Sequence, residues 1–169
     1  MDVVLTNIGS RAFAGCTALT RFEVINLYSL TELGEGVFSG CSALQEVMLW
    51  EAQNLTRIGA NAFCDCASLK NVICYRPSIE ASAVQDVYSV CLPSVMTVGD
   101  NAFAYCSSLM LGVLLPNSPA EGETEALGET VFAGCNNISS VRVEWGSYAI
   151  PANTFSGPTG LTLVYLNGI

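Results

Sequence analysis

The chain has 169 residues, of which 51% are apolar and only 12% charged. That balance excludes an extended disordered chain and supplies enough apolar material for one ordinary domain core. Fifteen acidic residues against six basic ones give a formal net charge of −9, so neither nucleic acid nor an anionic membrane surface is an expected partner, because both are held by Lys and Arg.

No apolar run approaches the roughly 18 residues of a membrane-crossing helix, so membrane insertion is not expected. The start, "MDVVLTNIG", has an acid at position 2 and no basic leader, and it does not read as a signal peptide. The expectation is a cytosolic chain or a processed piece of a longer secreted one.

Taken in order, the elements repeat. Ile8-Gly9, Ala12-Phe13, Gly15-Cys16 and Leu19 are followed by Leu33-Gly34, Val37-Phe38, Gly40-Cys41 and Leu44. Ile58-Gly59, Ala62-Phe63, Asp65-Cys66 and Leu69 form a third copy; Val98-Gly99, Ala102-Phe103, Tyr105-Cys106 and Leu109 form a fourth. Leu127-Gly128, Val131-Phe132, Gly134-Cys135 and Ile138 make a fifth. The sixth, Ile150-Pro151, Thr154-Phe155, Gly157-Pro158 and Leu161, has lost its first Gly and its Cys. The Phe-to-Phe spacings are 25, 25, 40, 29 and 23.

After each copy comes an alternating tail, such as Phe22-x-Val24, Val47-x-Leu49 and Val141-x-Val143, which predicts a half-buried strand. Val113 arrives one residue late in the fourth copy, which predicts a bulge at Met110 to Gly112. "SLTELG", "NLTRIG" and "SVMTVG" predict a second short strand before each Gly. From that Gly to the Cys the chain is expected to make one helical or irregular turn. Its Phe and Cys would point inward and its Gly would take the tight corner. One such coil leaves apolar edges above and below that only another coil covers, so stacking is required.

The unit I/L/V-G-x-x-A/V-F-x-G-C-x-x-L-x-x-V-x-L resembles the BspA-like leucine-rich-repeat family over about residues 5 to 167. The fold so implied is a β-rich solenoid, a right-handed leucine-rich-repeat superhelix of about six coils. A parallel sheet would lie on one face and short helical or irregular turns on the other, all in one domain, 1–169. The resemblance implies a surface or secreted protein, often linked to adhesion to host proteins or other cells, and it supplies no catalytic residues.

Two stretches break the period. Leu69 to Val95 spans 26 residues where the preceding copies use 11, a surplus of 15. The insert, about 76–93, contains "IEASAVQDVYSV", whose Ile79, Ala83, Val84 and Val87 predict a short helix on one rim or a surface loop. The acidic loop, about 116–126, carries Glu121, Glu123 and Glu125, with Glu129 just beyond it, for which solvated carboxylates or a calcium site are the readings.

The chain has no histidine, which rules out Ser-His-Asp, Cys-His and His-zinc chemistry. No enzymatic activity, cofactor or metal is expected. Five of the eight cysteines, Cys16, Cys41, Cys66, Cys106 and Cys135, share one repeat position and read as small buried hydrophobes. Cys64, Cys74 and Cys91 fall outside that column, and a Cys74–Cys91 disulfide could clamp the insert.

With Val47 and Leu49 inward, alternation predicts Glu46, Met48 and Trp50 on the outer face of the sheet. Met48, Trp50, Ile73, Tyr75 and Leu114 would then form a solvent-facing apolar patch for a surface or extracellular-matrix protein. The alternatives are that the insert folds over this patch, or that the chain is a passive spacer in a longer surface protein. Repeat material at both ends also raises end-to-end self-association as an expectation.

Overall fold

In a computed structural model of the chain, the described residues are 4–74, 88–91, 94–110, 112–115, 127–144 and 150–167. The coils stack as two parallel sheets joined by turns, and no helix forms among the described residues. The narrow sheet holds β1 (Asn7–Ile8), β3 (Glu32–Leu33), β5 (Arg57–Ile58) and β8 (Thr97–Val98), in that order. A single bridge from Val98 to Leu127 extends it.

The wide sheet holds β2 (Arg21–Val24), β4 (Glu46–Leu49), β6 (Asn71–Ile73), β7 (Tyr88–Cys91), β9 (Gly112–Leu115), β10 (Ser140–Glu144) and β11 (Leu163–Asn167). Its register stacks like on like: Phe22 pairs with Val47, Val47 with Val72, Val113 with Val141, and Val141 with Val164.

Between the sheets runs an aromatic column. Phe13, Phe38, Phe63, Phe103, Phe132 and Phe155 stack at centroid spacings of 5.3, 5.4, 5.0, 5.3 and 5.4 Å, with interplanar angles no greater than 12°. The middle four rings are fully buried. Each contributes on the order of 1.5–3 kcal/mol by transfer from water. Beside them each buried cysteine thiol donates to the carbonyl of a phenylalanine one coil earlier. Cys41 reaches Phe13, Cys66 Phe38, Cys106 Phe63 and Cys135 Phe103, at 3.0, 3.1, 3.1 and 3.0 Å. The expectation of an inward Phe and Cys column holds for Cys41, Cys66, Cys106 and Cys135 but not for Cys16, which is exposed because no coil covers it on one side.

Of the two forms expected, the turn segment takes the non-helical one. A residue two before each Phe and another two after it have positive φ: Arg11 and Gly15 at 59° and 71°, Asn61 and Asp65 at 56° and 61°, Asn101 and Tyr105 at 55° and 62°. The Ala12 N–H donates to Gly9 at 3.3 Å and the Cys16 N–H to Phe13 at 3.2 Å. Positive φ at the third position of each turn is the type II pattern, and two such residues in one segment forbid a helix. The Arg11, Phe13 and Gly15 N–H groups instead donate to Glu35, Val37 and Ser39 of the next coil at 2.8, 2.8 and 2.7 Å. The turn column is therefore laddered as the sheets are.

The glycine before the turn does a different job from the one expected. Gly34, Gly59, Gly99 and Gly128 do not have positive φ. A Cβ on Gly59 would lie 2.5 Å from the Glu35 nitrogen, and one on Gly99 would lie 2.4 Å from that of Ala60. These glycines let adjacent coils approach, whereas the corners fall to the positive-φ residues.

The insert also departs from expectation. Residues 88–91, placed by helical spacing at the end of a rim helix, form β7, which enters the wide sheet between β6 and β9. Val72 pairs with Val90 and Val90 with Val113. Alternation in "YSVC", with Val90 wholly buried, overrides the helical period. A register shift falls between Tyr88 and Val90; the bulge expected at Met110 to Gly112 centres on Leu111, which lies outside the described residues. Residues 75–87 and the acidic loop also lie outside them.

Candidate functional site

By register, Glu23, Met48 and Ile73 share one row of the wide sheet, alternate to the core residues Val47 and Val72, while Val164, expected to face inward, is 50% exposed in the last coil. The predicted patch is not an open surface along this row. Met48 and Ile73 are only 7% and 2% exposed, and neither belongs to the core between the sheets. The expectation that both face solvent is thus corrected: the outer face is closed to water at Met48 and Ile73. Side-chain burial of this kind depends on what lies over a strand, which period-two alternation does not encode. Tyr75 and the side chain of Leu114 lie outside the described residues.

Trp50 is partly exposed, at the end of β4. Its N–H donates to Val24 at 2.9 Å, and its carbonyl accepts from Leu27 at 3.2 Å, so Ile25 lies opposite it between the two bonds. The indole Nε1–H donates to Glu23 Oε1 at 2.8 Å. Arg21 bridges the two strands, with Nη2 3.0 Å from Glu23 and Nη1 2.9 Å from Glu46. The Trp50 hydrogen bond, with help from the Arg21 charge, holds the Glu23 carboxyl below its usual range against a smaller opposing effect of desolvation. Ile25 and Tyr28, which follow β2 in the same coil, are 63% and 51% exposed. Neither belongs to the patch predicted from the sequence; the carbonyl of Tyr28 accepts from the Asn54 amide.

The thiols are arranged for packing. Burial pushes Cys66 and Cys135 up to about 12, and Cys64, beside the Asp65 carboxylate, to about 11. Such thiols are poor nucleophiles and poor metal ligands near neutral pH. Among the described residues no group of three His, Cys, Asp or Glu side chains could hold a metal ion. Cys74 is buried in the core, while the side chain of Cys91 lies outside the described residues, and with it the expected disulfide. A cleft of about 160 Å³ beside the glycine column brings together Arg57 and Asp100 as its charged residues. No helix among the described residues is long and apolar enough to cross a membrane.

The profile of the BspA type leucine rich repeat region matches six copies, over residues 2–110 and 85–168. A crystal structure of a T. pallidum leucine-rich repeat protein aligns with 95% of the chain at 27% identity and a TM-score of 0.74. The chain spans 63% of that protein's length. A leucine-rich repeat protein from Bacteroides ovatus aligns at 22% identity and a TM-score of 0.48, covering 84% of this chain and 40% of the other. A leucine-rich cell surface protein from Faecalibacterium prausnitzii aligns at 21% and 0.34, covering 97% and 64%. No curated protein matches the chain. Six laddered units, the phenylalanine column and the profile agree: the chain belongs to the BspA-type leucine-rich repeat family.

Proposed function

We propose that the chain is a non-enzymatic protein-binding module of a secreted or cell-surface protein, working in adhesion or in contact with surface or extracellular-matrix proteins. The observation that carries this reading is the partly exposed Trp50, fixed by Glu23 and opposite the exposed Ile25, on a fold whose core needs neither side chain. Aromatic side chains held rigid at a polar rim are the residues from which binding hot spots are built. Burial of Met48 and Ile73 narrows the face to the first two coils, around Ile25, Tyr28 and Trp50. Adsorption of the chain to a panel of extracellular-matrix and surface proteins, with an Ile25→Ser/Trp50→Ala variant beside it, tests this. The variant is expected to lose binding at least tenfold with its unfolding midpoint nearly unchanged. Undiminished binding would refute the assigned face.

The same burial of Met48 and Ile73 supports a second reading, a passive spacer within a longer surface protein. A native chain that captures nothing from such a panel favours it.

A further inference from the structure

We infer that β7 is an extra half-coil spliced into a regular array, and that it bends the solenoid between the third and fourth phenylalanine rungs. The wide sheet has seven strands, but the aromatic column has six rings. At the insert the narrow sheet passes straight from β5 to β8, with Arg57 opposite Thr97 and Ile58 opposite Val98. Phe63 and Phe103 stack at 5.0 Å, as close as any pair in the column. On the other side β7 stands between β6 and β9, and Val90 fills the inner row between Val72 and Val113.

One side is thus longer by a strand spacing of about 4.8 Å, across a coil about 10 Å thick, which is a wedge of about 25–30°. Elsewhere the ring spacings of 5.3–5.4 Å exceed the strand spacing by at most about 0.6 Å, closing the wide face by only about 3° per coil. The half-coil outweighs all the regular junctions together. It turns the face that carries Arg21, Glu23 and Trp50 away from the plane of β9 to β11. A flat partner would meet one half of the sheet.

The numbering shows how the segment was added. Without residues 76–90, Phe63 to Phe103 becomes 25 residues and Leu69 to Val95 becomes 11, the values of the two preceding coils. Leu92 then falls at the repeat position of the buried Leu27 and Ala52. Cys91 falls at that of Asn26 and Glu51, both of positive φ, so the excised chain should carry Cys91→Asn.

Electron-spin distance measurements test the inference, with labels on genetically encoded ketone residues that spare the native thiols. One pair sits on the outer strands at Arg21 and Leu163, the other on the turn column at Ser10 and Ala152. In the intact chain the strand pair spans six strand spacings, about 29 Å, and exceeds the turn pair, which spans five rungs. In the 76–90 deletion with Cys91→Asn the strand pair should shorten by about 5 Å while the turn pair stays within about 2 Å. A strand pair shorter than the turn pair in the intact chain would overturn the wedge. So would equal shortening of both pairs on deletion. A deletion variant without a cooperative unfolding transition would overturn the claim that the segment is spliced into an otherwise regular array.

Discussion

Replacing the turn-entry glycine by alanine in two coils separates close approach from backbone conformation. Gly9 and Gly59 hold the same repeat position, and neither has positive φ. A Cβ on Gly9 meets nothing within 4 Å, whereas one on Gly59 falls 2.5, 2.7 and 2.8 Å from backbone atoms of Glu35 and Gly34. Backbone cannot rotate aside as a side chain can, so the third coil must move about 1 Å to regain van der Waals contact. The Gly59 N–H now donates to Leu33 at 2.8 Å; moving it by that much carries the bond beyond hydrogen-bonding range. Overpacking costs about 1–3 kcal/mol and a lost buried hydrogen bond about 1 kcal/mol, so Gly59→Ala should destabilise by about 3 kcal/mol. Gly9→Ala should be neutral, or stabilising by up to about 1 kcal/mol through the less flexible unfolded chain. Urea unfolding followed by circular dichroism measures both. Costs within 0.5 kcal/mol of each other would refute the close-approach account.

The aromatic column predicts a similar asymmetry. Phe63→Ala, in a fully buried ring between two stacked neighbours, should cost about 3–5 kcal/mol, and Phe13→Ala, in a half-buried end rung, roughly half that, both measured by urea unfolding. The thiols predict alkaline lability. Cys66 and Cys135 bind their protons more tightly when folded, up to about 12 against an ordinary value of 9.0. Their contribution is therefore fully present below about pH 9 and is lost as the pH rises towards about 12. The unfolding midpoint should fall over that range, and a Cys66→Ala/Cys135→Ala variant should fall less steeply; an unchanged slope would refute it.

The repeat spacing made the two sheets, their register and the phenylalanine and cysteine columns legible before any coordinates, because each depends only on what recurs. What stayed illegible depends on neighbours in space. Gly59 can serve positive φ or a close approach, and one letter does not distinguish them. The positive-φ corners are held by Arg11, Thr130 and Tyr105 as well as by Gly and Asn, residues whose steric preferences point elsewhere. β7 is four residues long and sits at the end of a stretch of helical spacing, so its strand character emerges only with β6 and β9 on either side. At the candidate site, alternation put Met48, Trp50 and Ile73 on the correct face. It could not say that two of them are covered and one is not.

The three columns of the solenoid are not equally indispensable, and the sixth coil shows the order. Pro151 stands where Gly34, Gly59, Gly99 and Gly128 each donate an N–H to the preceding coil at 2.7–2.8 Å. Proline has no such hydrogen. Among the described residues the last pairing of the narrow sheet is the single bridge from Val98 to Leu127. Yet β10 and β11 pair over five residues, and Phe132 and Phe155 stack at 5.4 Å and 4°. The glycine N–H bond can therefore lapse without unstacking a coil, and the wide sheet can take an extra strand at β7. The aromatic column does neither, running from Phe13 to Phe155 without a skipped or added ring. It sets the count of coils, and the sheets adjust to it.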